Sequence, residues 1–430
     1  MKVKVIGAGL AGSEAAYYLA RRGVKVSLYD IKPKAFTPAH KVAGFAELVC
    51  SNSLKSSDVF GNAAGLLKEE MRLLGSITME AAEYSKVPAG GALAVNREEF
   101  SHFITEKIKN HPNIEFISEE ITKIPTDGFT VIATGPLTTE RLASSLKKVA
   151  GALWFYDASA PIIAADSIDM EHAFIGDRYN RGDGDHINCP MNNDEYYAFY
   201  DALINAERAN LHEFEKSDVF EGCMPVEIMA ARGKDTLRFG PLKPVGLDDP
   251  KTGRWAYATL QLRKENRAGT MYNMVGFQTN LKFGEQKRVF SMIPALKNAE
   301  FLRYGVMHKN TFINSPTVLN PDYSFKEYPN VFIAGQLSGV EGYVESAGAG
   351  LLTAIYLERK LKGEKAIFIS ENTVLGALSK YVTAPNRDFQ PMNANFGILP
   401  PVNVRDKAER KRLMAERSLA AVKEFLKEIN

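Results

Sequence analysis

Apolar and polar positions follow one another along this chain in runs that change period, and the first thirty residues set the pattern. Val3 to Ile6 is a short apolar run and reads as a buried strand. Gly7, Gly9 and Gly12 follow in G-x-G-x-x-G spacing. A helical period then runs from Ser13 to Arg22, Gly23 stops it, and Val24 to Tyr29 predicts a second strand ending on Asp30. Further on, Asn62 to Leu74 has the period of a core-facing amphipathic helix. Asn96 with Glu99 three residues later resembles a capping box that opens another helix. Phe129 to Gly135 (FTVIATG) and Asn330 to Ala334 (NVFIA, before Gly335-Gln336) read as strands that run into glycine turns. Between them lie an aromatic-rich helix from about Asp194 and alternating stretches over Tyr257 to Leu262 and Tyr272 to Phe277. A helix rich in small residues begins near Glu345-Ser346-Ala347, and a charged amphipathic helix follows Asp406.

The opening order of strand, glycine turn, helix, strand and acid predicts a dinucleotide site. The first glycine makes the tight turn, the second admits a pyrophosphate, and the third lets helix and strand touch. The helix N-terminus carries partial positive charge toward the phosphates. Asp30, eighteen residues past Gly12, stands where an acid accepts hydrogen bonds from a ribose. Gly135 ends a strand in the manner of a second backbone approach to a flavin dinucleotide. Gly335, Gln336, Glu345, Ser346 and Ala347 form the late strand–turn–helix element, whose N–H groups suit a flavin pyrimidine edge. FAD rather than NAD is therefore the expected bound cofactor. The fold class is α/β, a Rossmann-like FAD domain of the two-dinucleotide-binding type with an inserted α+β domain. The expected boundaries are 1–180 for the first part of the FAD domain, 181–326 for an inserted substrate or RNA domain, and 327–430 for the return.

The chain has 430 residues, 45% hydrophobic and 24% charged, ordinary for a globular protein of two or three domains. No apolar run approaches the ~20 residues that span a bilayer, and the N-terminus reads as a folded strand, so a cytoplasmic location is expected. Cys50, Cys189 and Cys223 are scattered without C-x-x-C, and seven histidines include no H-E-x-x-H, so no metal site is expected. A net charge of +2 does not announce a nucleic-acid binder, but a local basic face is enough for a folded RNA. Arg254, Arg263, Lys264, Arg267, Lys282, Lys287 and Arg288 fall near Trp255, Tyr257 and Tyr272, either as an RNA face or as a solvated sheet face.

The long loop after Asp30 carries Lys32, which we assign with the cofactor-binding set, and Cys50 before Ser51-Asn52-Ser53. Cys50 is either a small core hydrophobe or part of a site. Arg97, at a helix start, is either a phosphate or flavin contact or a solvated first-turn charge. Cys223, between Gly222 and Met224, and Lys243 within RFGPLKPVG lie in turn-rich stretches that suit a pocket wall.

These residues together resemble one family, the bacterial folate- and FAD-dependent tRNA uridine-54 C5-methyltransferases. The resemblance rests on VIGAGLAGSEAAYYLA, ELVCSNSLKS, NAAGLLKEEMR, PAGGALAVNREEF, EGCMPVEIMA, RFGPLKPVGL, GFQTNLKFGEQKRVF and GQLSGVEGYVESAGAGL, which spread over nearly the whole chain. Asn96 stands where Asp is as common, and Gly348 where Ala is common. The resemblance implies a tRNA T-arm substrate, methylenetetrahydrofolate as one-carbon donor, FAD, and NADH or NADPH as reductant. With it we assign Cys223 as the nucleophile toward uracil C6 and Cys50 as its proton-handling or adduct-protecting partner; by position, Arg238, Lys243 and Tyr343 are suspects for folate contact. A branch acting on ribosomal RNA shares the architecture. A small-molecule flavin oxidoreductase and a non-catalytic flavoprotein scaffold are the competing classes. Oligomeric state is open.

Overall fold

In the computed structural model, residues 2–150, 152–180, 184–209, 224–266, 268–305, 307–386 and 389–429 are described. β1 (Lys2–Ile6), α1 (Leu10–Arg21) and β2 (Lys25–Asp30) form the first unit. Strands β1 and β2 are the centre of a five-stranded parallel sheet, in the order Val331–Ile333, Thr130–Ile132, β1, β2, Ile114–Ser118. Both faces of that sheet are covered, so its strands are apolar throughout. Val3, Val5, Val26, Leu28, Val131 and Phe332 are all buried. The small-residue helix Tyr343–Leu361 packs beside α1, and the final helix Lys407–Ile429 lies on the same core. Sheet and helices thus make the FAD-type α/β fold.

A second hydrophobic core is built on a six-stranded sheet in which Ile162–Ala164, His186–Met191, Ala258–Lys264 and Met271–Met274 pair antiparallel. Helix Asn193–Ile204 covers it and buries Tyr196, Phe199 and Leu203. The sheet draws on residues before position 181, Ile162–Ala164 and Phe174–Ile175, and ends with Phe301–Arg303. We therefore propose that the insertion runs from Ile162 to Arg303. A two-stranded antiparallel ribbon, Ala152–Ala158 against Met307–Ile313, carries the chain out of the first core and back.

The capping box expected at Asn96 forms by half. Its side chain accepts from the Glu98 and Glu99 amides, but its own N–H goes to Ser85 O, so the Glu99 carboxylate meets the Asn96 side-chain amide instead of its backbone N–H. The full box lies at Asn192 and Glu195 instead. Among the described residues no helix is long and apolar enough to cross a membrane, and no cluster of three or more metal-ligating side chains occurs.

Candidate functional site

A cavity of about 400 Å³ opens at the C-terminal ends of β1, β2 and Thr130–Ile132, where an open α/β sheet places its ligand. Gly7, Gly9, Asp30, Lys32, Cys50, Gly135, Gln336, Glu345 and Ser346 all line it. Gly12, Arg97, Gly335 and Ala347 do not. Gly12 and Ala347 act from behind, in the close packing of α1 and of the helix Tyr343–Leu361.

The three glycines have separate structural reasons. Gly7 has φ +100° and lies against Ala133, so a side chain is excluded twice over. A Cβ on Gly12 would stand 1.8 Å from Gly7 O. A Cβ on Gly9 would meet nothing within 4 Å, because it would point into the open cavity. Gly9 is also the N-cap of α1, and no side chain caps that helix. Gly342, the N-cap of Tyr343–Leu361, has no side-chain cap either. Two uncapped helix N-termini therefore face one cavity, each presenting positive partial charge.

Asp30 orders the rim. Its carboxylate accepts from Ala8 N at 2.7 Å and Lys32 N at 2.9 Å. Lys32 is buried, donates to Gly44 O, and has its ammonium pKa lowered by that burial. At the far end, Gln336 donates to Glu341 at 2.6 Å. Glu345 pairs with Lys55 at 2.7 Å and accepts from Ala394 N through Oε1, while its buried Oε2 has no partner among the described residues. The open cradle at Gly9, the two bare helix ends and this orphaned carboxylate oxygen fit a bound dinucleotide with N–H donors on its ring. Asp30 and Gly9 would hold its ribose and pyrophosphate side, and Glu345, Ser346 and Gln336 its ring.

Cys50 lies on the wall of this cavity, and Tyr343 organises it. The Cys50 N–H donates to Tyr343 Oη at 2.7 Å, and Sγ lies 2.8 Å from the same oxygen. Burial, with the neighbouring Cys50 adding to it, pushes the phenol pKa well above its ordinary value, so Tyr343 keeps its proton. With the oxygen accepting from the amide, that proton is available to the sulfur. Behind the loop, Arg97 donates to Leu48 O at 3.0 Å and pairs with the buried Glu265 at 2.9 Å. Arg303 donates to Val49 O at 2.5 Å, and Arg263 reaches Ser51 Oγ at 2.9 Å and Asn52 Oδ1 at 3.2 Å. Three guanidiniums and one carboxylate thus hold the loop on either side of Cys50. Arg97 thus serves as a clamp on the cysteine loop and touches no cavity surface.

Cys223 lies outside the described residues, as does Arg267. Just after it, helix Val226–Ala230 begins at the cavity rim, where Val226 N–H donates to Gln278 O at 2.7 Å and Gln278 lines the cavity. Buried Glu227 fixes this helix by accepting from Thr279 Oγ1 and Asn280 N, at 2.9 and 2.8 Å. Cys189 is wholly buried, with its thiol pKa pushed far up by that burial, and is inert. The expected basic–aromatic face does not assemble as drawn. Arg263 is turned inward, Tyr272 is buried, and the Arg238 guanidinium covers the Tyr257 ring at 3.6 Å. Sequence reading also passed over the Cys50–Tyr343 pair as a unit, since 293 residues separate them and no local spacing reports it.

A family model described as glucose inhibited division protein A matches residues 2–365. A Listeria monocytogenes serotype 4b protein named methylenetetrahydrofolate–tRNA-(uracil-5-)-methyltransferase TrmFO is 56% identical over 432 residues, covering 99% of each chain. A protein of the same name from Caldicellulosiruptor bescii is 54% identical over 435 residues, covering 100% of each. Among solved structures, GidA from Aquifex aeolicus (form II crystal) superposes with a TM-score of 0.68 at 17% identity, over 99% of this chain and 76% of that one. At that identity it speaks for the fold alone.

Proposed function

The chain belongs to the glucose inhibited division protein A family, as one of its methylenetetrahydrofolate-dependent tRNA (uracil-5-)-methyltransferases, and from that premise we propose that it methylates C5 of uridine-54 in the tRNA T-arm through a cysteine adduct at uracil C6, with FAD bound and NADH or NADPH as reductant. The observation that carries this reading is a cysteine, Cys50, set with Tyr343 on the wall of a dinucleotide-type cavity.

Uracil C5 is a poor nucleophile. A thiolate adding to C6 forms the S–C6 bond and moves the C5=C6 electrons onto the C4 oxygen, and the resulting enolate attacks an electrophilic one-carbon unit at C5. FAD, when bound, carries that unit from folate and supplies the hydride that turns it into methyl. We assign the addition to Cys223. Cys50, held by Tyr343 and the arginine cluster, takes the C5 proton as the bond from the one-carbon unit to its carrier breaks, and hydride addition to the resulting C5 methylene restores C5=C6, breaks the C6–S bond and releases the Cys223 thiolate. Arg97, Arg263 and Arg303 keep the Cys50 loop in place, and Asp30, Gly9 and Glu345 hold the cofactor. The target base must leave its stack to reach the cavity, which costs a few kcal/mol. A tRNA substrate supports a cytoplasmic location.

Mass spectrometry of complexes with 5-fluorouridine-54 tRNA tests the cysteine roles. Fluorine cannot leave C5 as a proton does, so the adduct is trapped. The expected result is a covalent adduct in the wild type and in Cys50→Ala, and none in Cys223→Ala. An adduct that survives in Cys223→Ala would overturn the assignment.

A further inference from the structure

An aromatic column climbs out of the second core to the surface. It starts with the buried rings of Phe277 and Phe290, 5.4 Å apart, and passes Phe301 at 6.5 Å. It then becomes a coplanar stack: Phe301 on Tyr304 at 5.5 Å and 7°, and Tyr304 on Phe283 at 5.0 Å and 14°. Phe283 ends the column and is 55% exposed, with Leu302 and Met292 exposed nearby in the sequence. An apolar ring half in water at the end of a parallel stack offers an aromatic plane that, among the described residues, carries no further ring on its outer side.

Both chain segments that build the outer column come from the cavity rim. Phe283 lies five residues beyond Gln278, which lines the cavity. Tyr304 directly follows Arg303, whose guanidinium holds Val49 O next to Cys50. Two cations lie near the ring in the sequence: Lys282 precedes it and Arg288 follows five residues on in the same helix, Phe283–Phe290, each half-exposed. The Lys282–Glu207 pair is solvent-facing and weak enough for a phosphate to compete with, whereas Arg288 is held through two hydrogen bonds by the partly covered Glu285.

We infer that Phe283, backed by Tyr304 and Phe301, is a stacking platform for an unpaired nucleobase of the substrate RNA beside the target uridine. The inference rests on RNA being the substrate. Stacking there returns part of the energy that unstacking the loop consumes, and a ring plane with flanking cations is the chemistry by which single-stranded bases are held.

The test uses full-length protein loaded with FAD. Phe283→Leu keeps an apolar side chain and loses the plane, so tRNA affinity and KM should weaken roughly 10- to 100-fold while kcat at saturation holds. Phe283→Tyr should restore both, and the fluorescence of Phe283→Trp should quench when tRNA binds. Unchanged tRNA affinity in Phe283→Leu overturns the inference. So does a change in the sedimentation of the free protein with tRNA affinity intact, which would assign this face to a second copy of the chain. If the wild type methylated no tRNA at all, the substrate reading would fail instead, and the two failures are distinct.

Discussion

Replacing Tyr343 by Phe removes one oxygen and leaves the ring. That oxygen accepts from the Cys50 amide at 2.7 Å and faces the sulfur at 2.8 Å. Because burial keeps the phenol protonated, its hydrogen bond to the sulfur strengthens as the thiol loses its proton. A hydrogen bond to a charged partner contributes about 1.5–3 kcal/mol. At about 1.4 kcal/mol per tenfold, the methylation rate should fall roughly 10- to 150-fold. The loss should lie in kcat, since the ring still fills its place in the wall. Two readouts decide the matter: transfer of labelled methylene from methylenetetrahydrofolate to tRNA, and the pH profile of Cys50 alkylation followed by peptide mass spectrometry. The profile should move to higher pH in Tyr343→Phe, with FAD content unchanged. A variant with the wild-type rate and alkylation profile would refute the idea that Tyr343 tunes this cysteine.

Gly9→Ala should fold with stability within about 0.5 kcal/mol of wild type and bind FAD at least tenfold more weakly, because its Cβ enters only the cavity. Gly12→Ala should instead destabilise the protein itself, since its Cβ would collide with Gly7 O, and thermal unfolding of the apoprotein separates the two cases. Arg97→Met should cost about 2–4 kcal/mol in urea unfolding by stranding buried Glu265, with FAD affinity little changed; a selective loss of FAD would make Arg97 a cofactor contact after all. Glu70 joins three helices by accepting from Val374 N, Leu375 N and Ser418 Oγ, at 2.7, 2.9 and 2.5 Å. Burial raises its carboxyl from 4.5 to about 7. Between those values the folded chain holds a proton that the unfolded chain has released, so stability falls as pH rises through that window, by up to about 3 kcal/mol. The Glu70→Gln variant should lose that slope in thermal melts between pH 5 and about 8.

The first unit was legible because its signals are local. A strand, three glycines, a helix and an acid within thirty residues each answer to a backbone or phosphate requirement that neighbouring positions can state. The late strand–turn–helix was legible for the same reason, with the helix starting two residues early, at Tyr343. Features set by tertiary contact were not. Arg97 reads equally well as a phosphate ligand or a surface charge until Glu265, from the other core, is seen to claim it. Asn96 looked like a full capping box because nothing nearby reveals that Ser85 O takes its N–H. The basic–aromatic stretch put Tyr272 and Arg263 on an outer face, but the sheet turns Tyr272 into its core and sends Arg263 to the cysteine loop. The aromatic column went unread because its members, Phe277 to Tyr304, come from several elements whose order in space only the fold supplies.

Folate-dependent methylation of tRNA by this chain can be measured directly in one assay. Purified protein, FAD, NADH or NADPH and methylenetetrahydrofolate labelled in its one-carbon unit would be given unmodified tRNA, with a ribosomal-RNA fragment and S-adenosylmethionine as rival substrate and donor. Label is expected in the C5 methyl group of uridine-54 of the tRNA, dependent on folate and absent in both Cys50→Ala and Cys223→Ala. Oxidation of NADH or NADPH with no label in any RNA would contradict it.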